Sequence, residues 1–126
     1  MAFPRRWRWA LVALVVLAAI AAGRIHWDYQ VAIQSARESV LRENLRRTRL
    51  VLAQFANDYG QYPRDLHTLV AQKYLRALPM DPITGRNDTW LLVVVAAPDD
   101  PTRVGIQDIQ SGARGASRDG RPYADW

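Results

Sequence analysis

The residues best suited to chemistry in this chain are few, and their spacing does not serve catalysis. Its two histidines, His26 and His67, lie far apart, and neither has a second histidine at metal-ligand spacing. A serine nucleophile needs a base and an orienting acid, and nothing in the sequence places Ser111 or Ser117 near a histidine. Asp99 and Asp100 are adjacent carboxylates, but Pro98 and Pro101 bracket them and mark a turn rather than an acid–base dyad. No glycine-rich loop follows a strand and opens a helix, so a phosphate cradle is not expected. There are no cysteines, which excludes disulfides, thiolate metal sites and a cysteine nucleophile. The chain is expected not to be an enzyme.

One basic cluster stands out: Arg42, Arg46, Arg47 and Arg49. Arginines so spaced can meet phosphate, in nucleic acid or lipid. The same spacing suits pairing with Glu38 and Glu43, or with acids of a neighbouring subunit. No aromatic platform interleaves with the cluster, so a solvated or subunit-facing helix surface is expected, and nucleic acid is not the expected partner.

The elements that position these residues follow from composition and periodicity. The 126 residues leave room for one small domain, with Lys+Arg 17 against Asp+Glu 12. Four of those cations, Arg5, Arg6, Arg8 and Arg24, flank an unbroken apolar run from Trp9 to Gly23. Setting them aside leaves 13 against 12, so the basic excess belongs to the flanks of that run. A spanning helix needs roughly 20 apolar residues. Trp7, Ile25 and Trp27, with snorkelling arginines, extend the usable length, and tryptophans at both ends suit the headgroup belt. Residues 1–8 are read as a cytoplasmic basic flank, 9–27 as a transmembrane segment and 28–126 as a domain outside, by the positive-inside bias. A cleavable signal peptide, with small residues around Ala19-Ile20-Ala21, is the alternative; both readings export the rest of the chain.

A long helix is expected over 28–59, because Leu41, Leu45, Thr48, Leu52, Phe55 and Tyr59 step by four and three along one face. Together with the anchor it would run for around 50 residues, roughly 75 Å. Gly60 ends it. A short helix is expected over 63–73, with Pro63 at its first position and Leu66, Leu69, Val70 and Tyr74 as its apolar face. The segment Leu78-Pro79-Met80-Asp81-Pro82 is a constrained turn. Trp90 to Ala96 is the clearest strand, and Val104 to Gln110 returns antiparallel to it. The region 88–126 therefore holds a sheet and a glycine-rich C-terminal loop ending on an aromatic that packs down. The fold class is α+β: a long N-terminal helix, transmembrane then amphipathic, packed on a small antiparallel sheet.

The order of elements, the stretch Ala36 to Leu45, and Tyr59-Gly60-Gln61-Tyr62-Pro63 resemble type IV pilin-like proteins, and most closely the major pseudopilin of type II secretion. The likeness continues through Leu66 to Val70, through YLRALPMDPITG (Tyr74 to Gly85) and Trp90. It closes with Asp108 to Gly115 and the DGRPYADW end (Asp119 to Trp126), covering residues 29 to 126. At the N-terminus the chain departs from the pattern. The family is cut after a glycine that precedes phenylalanine, and its mature chain carries a glutamate at the fifth residue. Here the first glycine is Gly23, followed by Arg24, and the glutamate position falls near Ala10.

The resemblance implies calcium in the C-terminal loop, with Asp108, Ser111, Asp119 and Asp125 as the oxygen donors. Arg114 stands where the family has an aspartate, and Arg118 and Arg121 add positive charge. A loop held instead by Asp–Arg pairs and backbone hydrogen bonds is the competing expectation, and the favoured one. The resemblance further implies a non-catalytic structural or accessory subunit of a type II secretion or type IV pilus-like assembly. It would be single-pass in a bacterial inner membrane, N-terminus cytoplasmic and C-terminal domain periplasmic, with pilin-like subunits or secretion-machine components as partners. Ala18, Ala19, Ala21, Ala22 and Gly23 offer a smooth strip for helix packing in lipid. Two alternatives stay open: a stand-alone membrane-anchored binding module that keeps a pilin fold without polymerising, and a DNA-binding protein of the minor-pilin type.

Overall fold

The backbone from Arg5 to Tyr59 forms one α-helix, α1, because no proline interrupts it and Gly23 is its only glycine. The structure is a computed structural model that describes residues 5–126; positions 1–4 of the expected basic flank lie outside the described residues. The helix stops where Gly60 takes φ +69 and donates its N–H to the Ala56 carbonyl at 2.8 Å. The left-handed conformation carries almost no steric cost for a residue without Cβ. The chain divides into two compact units, one ending at Ser35 and the other Ala36–Trp126.

The N-terminal unit is the first part of α1. Its large side chains, among them Trp9, Leu14, Val15, Leu17 and Trp27, are exposed around the helix. A helix apolar on all sides has to be covered by lipid or protein. It is long and apolar enough to cross a membrane, and none of its most apolar 18-residue window is buried.

The second unit has its own core. Leu41, Leu45, Thr48, Leu52 and Phe55 are buried on α1, as their spacing requires. Tyr59 is half-exposed and instead stacks on Phe55, ring centroids 4.4 Å apart. The short helix, α2, spans Leu66–Ala71, a narrower range than 63–73. Asp65 rather than Pro63 sets its start: the carboxylate accepts the Thr68 N–H at 2.7 Å, satisfying a donor that a first turn leaves open. Pro63 is buried before the helix and lends its carbonyl to Ile106 N–H at 2.8 Å.

Two antiparallel strands follow, β1 (Leu91–Ala97) and β2 (Asp100–Gln110). Trp90 lies just before β1 and not in it. Its buried indole donates to the Pro79 carbonyl at 2.9 Å, which holds it out of the strand. β2 begins four residues earlier than expected, since Asp100 pairs with Ala97 at the turn. The register shifts between Val93 and Val94, where Gln107 is the extra residue on β2.

β2 faces the core through Gly105, Ile106 and Ile109. Gly105 is required there: a Cβ would lie 2.6 Å from the Tyr62 carbonyl oxygen. A 3₁₀ turn, Tyr123–Asp125, precedes Trp126. Trp90, Ile106, Ile109, Tyr123 and Trp126 share one apolar cluster with the α1 stripe. The class is α+β as expected, and the order of elements is compatible with a pilin-like arrangement.

Candidate functional site

Three residues on α1 hold the C-terminal segment. Glu38, three residues before Leu41, continues the apolar stripe but is a carboxylate, only 6% exposed. One of its oxygens accepts the Tyr123 hydroxyl at 3.0 Å and the Arg118 N–H at 3.1 Å. One turn on, the Arg42 guanidinium lies 4.6 Å from the Trp126 ring centroid, a cation–π contact. Arg49, two turns further, donates to Asp108 at 2.6 Å, to the Ile109 carbonyl at 2.9 Å and to the Trp126 carbonyl at 2.8 Å. Trp126 packs edge-on against Tyr123, and its buried indole N–H meets no acceptor among the described residues.

This arrangement decides how the four expected calcium donors are used. Asp108 is taken by Arg49. The Ser111 hydroxyl is buried and donates to Asp81 at 2.5 Å, and it accepts the Ala113 N–H at 3.1 Å. Asp119 accepts the Ser117 hydroxyl, which with the Arg42 charge holds its carboxyl below the usual range. The Asp125 backbone oxygen accepts from Arg121. Calcium needs six to eight oxygens around one point. Among the described residues no three acidic or histidine side chains are placed to hold a metal. The donor set does not fit calcium: the Asp108 and Asp119 carboxylates serve separate partners, and Arg49 brings a fixed positive charge to the oxygens of Asp108, Ile109 and Trp126.

Asp81, not expected as a site residue, organises the neighbouring loop. It is fully buried and also accepts the Ile83 N–H at 2.8 Å, while its own N–H bonds the Arg86 carbonyl at 2.7 Å. Its signal in the sequence was an aspartate before Pro82 in a turn. Glu38's signal was its register with the stripe.

A groove of about 860 Å³ lies beside the C-terminal segment, lined by Arg42, Arg46, Arg49, Arg121, Leu50 and Trp126 among others. Its arginines are largely engaged within the molecule. Arg46 forms a two-point pair with Glu43 at 2.7 and 2.9 Å, which lowers the Glu43 pKa. Trp126 is 8% exposed, so no ring is open for stacking a base.

The packing strip lies on α1 in the N-terminal unit, where Ala18, Ala19, Ala21, Ala22 and Gly23 are exposed. Ala18 and Ala22, and Ala19 and Gly23, are two pairs of small residues four apart, and nothing lies within 4 Å of a Cβ built on Gly23. Helices in lipid approach closely across such pairs. His26 is exposed on α1 and His67 sits on α2, in different units. No protein-family model, no curated protein and no solved structure matches this chain.

Proposed function

We propose that the chain is a membrane-anchored, non-catalytic structural or accessory subunit of a type II secretion or type IV pilus-like assembly. In this reading the N-terminus lies in the cytoplasm and the unit Ala36–Trp126 in the periplasm. The observation that carries it is α1 itself: an unbroken helix whose first part is apolar on every side and whose second part buries a core stripe. Lipid and neighbouring helices cover the first part, and the small pairs Ala18/Ala22 and Ala19/Gly23 set where neighbours touch. The arginine-bearing face of α1 anchors the C-terminal segment and takes no part in catalysis.

Fractionation, intact mass and crosslinking test this together. The protein should be extracted from membranes by detergent and not by salt, and Ala18→Cys or Ala22→Cys should crosslink to neighbouring helices. Replacing the alanines with leucine should abolish that crosslinking. Recovery as a soluble chain cut near Ala21 would overturn the anchor.

The second reading, a stand-alone anchored module, is favoured by Ala10 at the glutamate position and by the lack of a glycine before Gly23. It predicts membrane retention without crosslinks at the alanines. A DNA-binding role draws least support, since Arg46 and Arg49 are committed to Glu43 and Asp108.

A further inference from the structure

At the start of α1 the charge has one sign. Arg5, Arg6 and Arg8 are exposed, and no carboxylate occurs in the chain before Asp28. Asp28 lies about 30 Å beyond Arg8 along the helix, at 1.5 Å per residue. Among the described residues none of the three arginines forms an ion pair. The far end of the apolar run differs, because Arg24 has Asp28 one turn on. Two of the three arginines share a face with apolar side chains. Arg5, Arg8, Trp9 and Val12 stand at i, i+3, i+4 and i+7, and together they line one cavity of about 340 Å³. Arg6 falls about 100° round the helix from Arg5 and is not part of that lining.

We propose that this face holds the phosphate of an anionic phospholipid between Arg5 and Arg8, with the lipid's chains running over Trp9 and Val12. Side chains three apart on a helix are neighbours, so two guanidinium groups can share one phosphate. Two features of the face choose the occupant. Arginines without a carboxylate call for an anion, and a guanidinium matches phosphate oxygens two at a time. Trp9 (68% exposed) and Val12 (52%) directly beyond them call for an apolar body attached to that anion. Free inorganic phosphate would leave the apolar part bare, and an uncharged lipid would leave both cations unmet. An amphiphile with a negative head meets both demands. A zwitterionic headgroup carries its own ammonium beside the phosphate, which opposes the arginines, so a head of net negative charge is preferred. The indole ring suits the boundary where headgroup meets chain. This lipid contact rests on the proposed membrane anchoring and adds to it a headgroup class and a defined face of α1.

The test uses the full-length protein reconstituted into phosphatidylcholine vesicles. Phosphatidylglycerol or phosphatidylcholine with chains brominated near the headgroup is added as the quencher of Trp9 fluorescence. Subtracting the signal of Trp9→Phe isolates that ring from the other tryptophans. Brominated phosphatidylglycerol is expected to reach Trp9 with a roughly tenfold preference over brominated phosphatidylcholine. Arg5→Gln and Arg8→Gln should each lower that preference about threefold, and together abolish it. Arg6→Gln removes the same charge from another face and should leave most of the preference in place. In native membranes, a photo-crosslinking residue in place of Val12 should capture phospholipid.

Equal quenching by the two lipids would overturn the site. So would a loss with Arg6→Gln as large as with Arg5→Gln or Arg8→Gln, since diffuse attraction does not distinguish faces. Capture of protein rather than lipid at Val12 would overturn the phospholipid as occupant. Each of these results leaves the membrane-subunit reading intact, because the chain is still in the bilayer. A chain that enters no vesicle and is recovered soluble would overturn the anchoring and the lipid contact together.

Discussion

Arg49 and Trp126, 77 residues apart in sequence, are joined by a 2.8 Å hydrogen bond from guanidinium to backbone oxygen. The same guanidinium reaches Asp108 and the Ile109 carbonyl, so one side chain on α1 fastens both the end of β2 and the end of the described chain.

Replacing that side chain should loosen the whole C-terminal segment. Arg49→Met is expected to cost about 2 kcal/mol, since it removes the charge-assisted bonds to Asp108, to the Ile109 carbonyl and to the Trp126 carbonyl. Arg49→Lys should recover only part of this, because an ammonium lacks the planar fork. Urea unfolding measures both, and a neutral Arg49→Met would sink the idea.

Calcium should not stabilise the protein. A site holding calcium at a hundred times its Kd would add about 2.7 kcal/mol. Millimolar calcium or EDTA is instead expected to leave Tm unchanged, because Asp108 and Asp119 are already committed to Arg49 and Ser117. A Tm that rises with calcium and falls with EDTA would restore the metal loop.

Glu38 and Tyr123 should be coupled. Glu38→Leu is expected to cost about 1–3 kcal/mol, chiefly by removing the carboxylate that accepts the Tyr123 hydroxyl and the Arg118 N–H. Tyr123→Phe should then cost less in the Glu38→Leu background than in the wild type. Additive losses would show that the bond contributes nothing.

Gly112→Ala should be among the most damaging single changes, because a Cβ there collides with the Thr89 carbonyl oxygen, which is backbone and cannot swing aside. A loss of about 3 kcal/mol or more is expected, in line with overpacking. Gly115→Ala meets nothing within 4 Å, so it suffers only from its positive φ and should cost less. Circular dichroism melts would rank them.

Acid should weaken the cap of α2. The Thr68 backbone N–H, and then its hydroxyl, hold the Asp65 carboxyl below its ordinary range. A depressed pKa stabilises the fold above the unfolded value of about 3.9, and the contribution fades as pH falls through the folded value. Asp65→Ala should therefore cost about 1 kcal/mol at pH 7, and the gap from wild type should close at low pH. A gap independent of pH would mean the carboxylate charge is not involved. Tyr74, pushed up to about 12 by its bond to Asp58, should stay protonated through the alkaline range in which ordinary tyrosines ionise.

Periodicity and punctuation determined much of this protein from the sequence alone. The apolar run, the stripe from Leu41 to Phe55, the stop at Gly60 and the antiparallel hairpin are local patterns that neighbouring residues impose on one another. Tertiary structure decided the partners. Arg49 read as one of four surface arginines until folding brought it to Asp108 and Trp126. Glu38 read as a helix-surface partner for the arginine cluster until folding buried it against the Tyr123 hydroxyl, and the sequence did not show that the Ser111 hydroxyl would meet Asp81. Those pairings join residues 30 to 85 positions apart. Local spacing carries no record of which distant oxygen or guanidinium will arrive, because that choice is made by packing around the shared core.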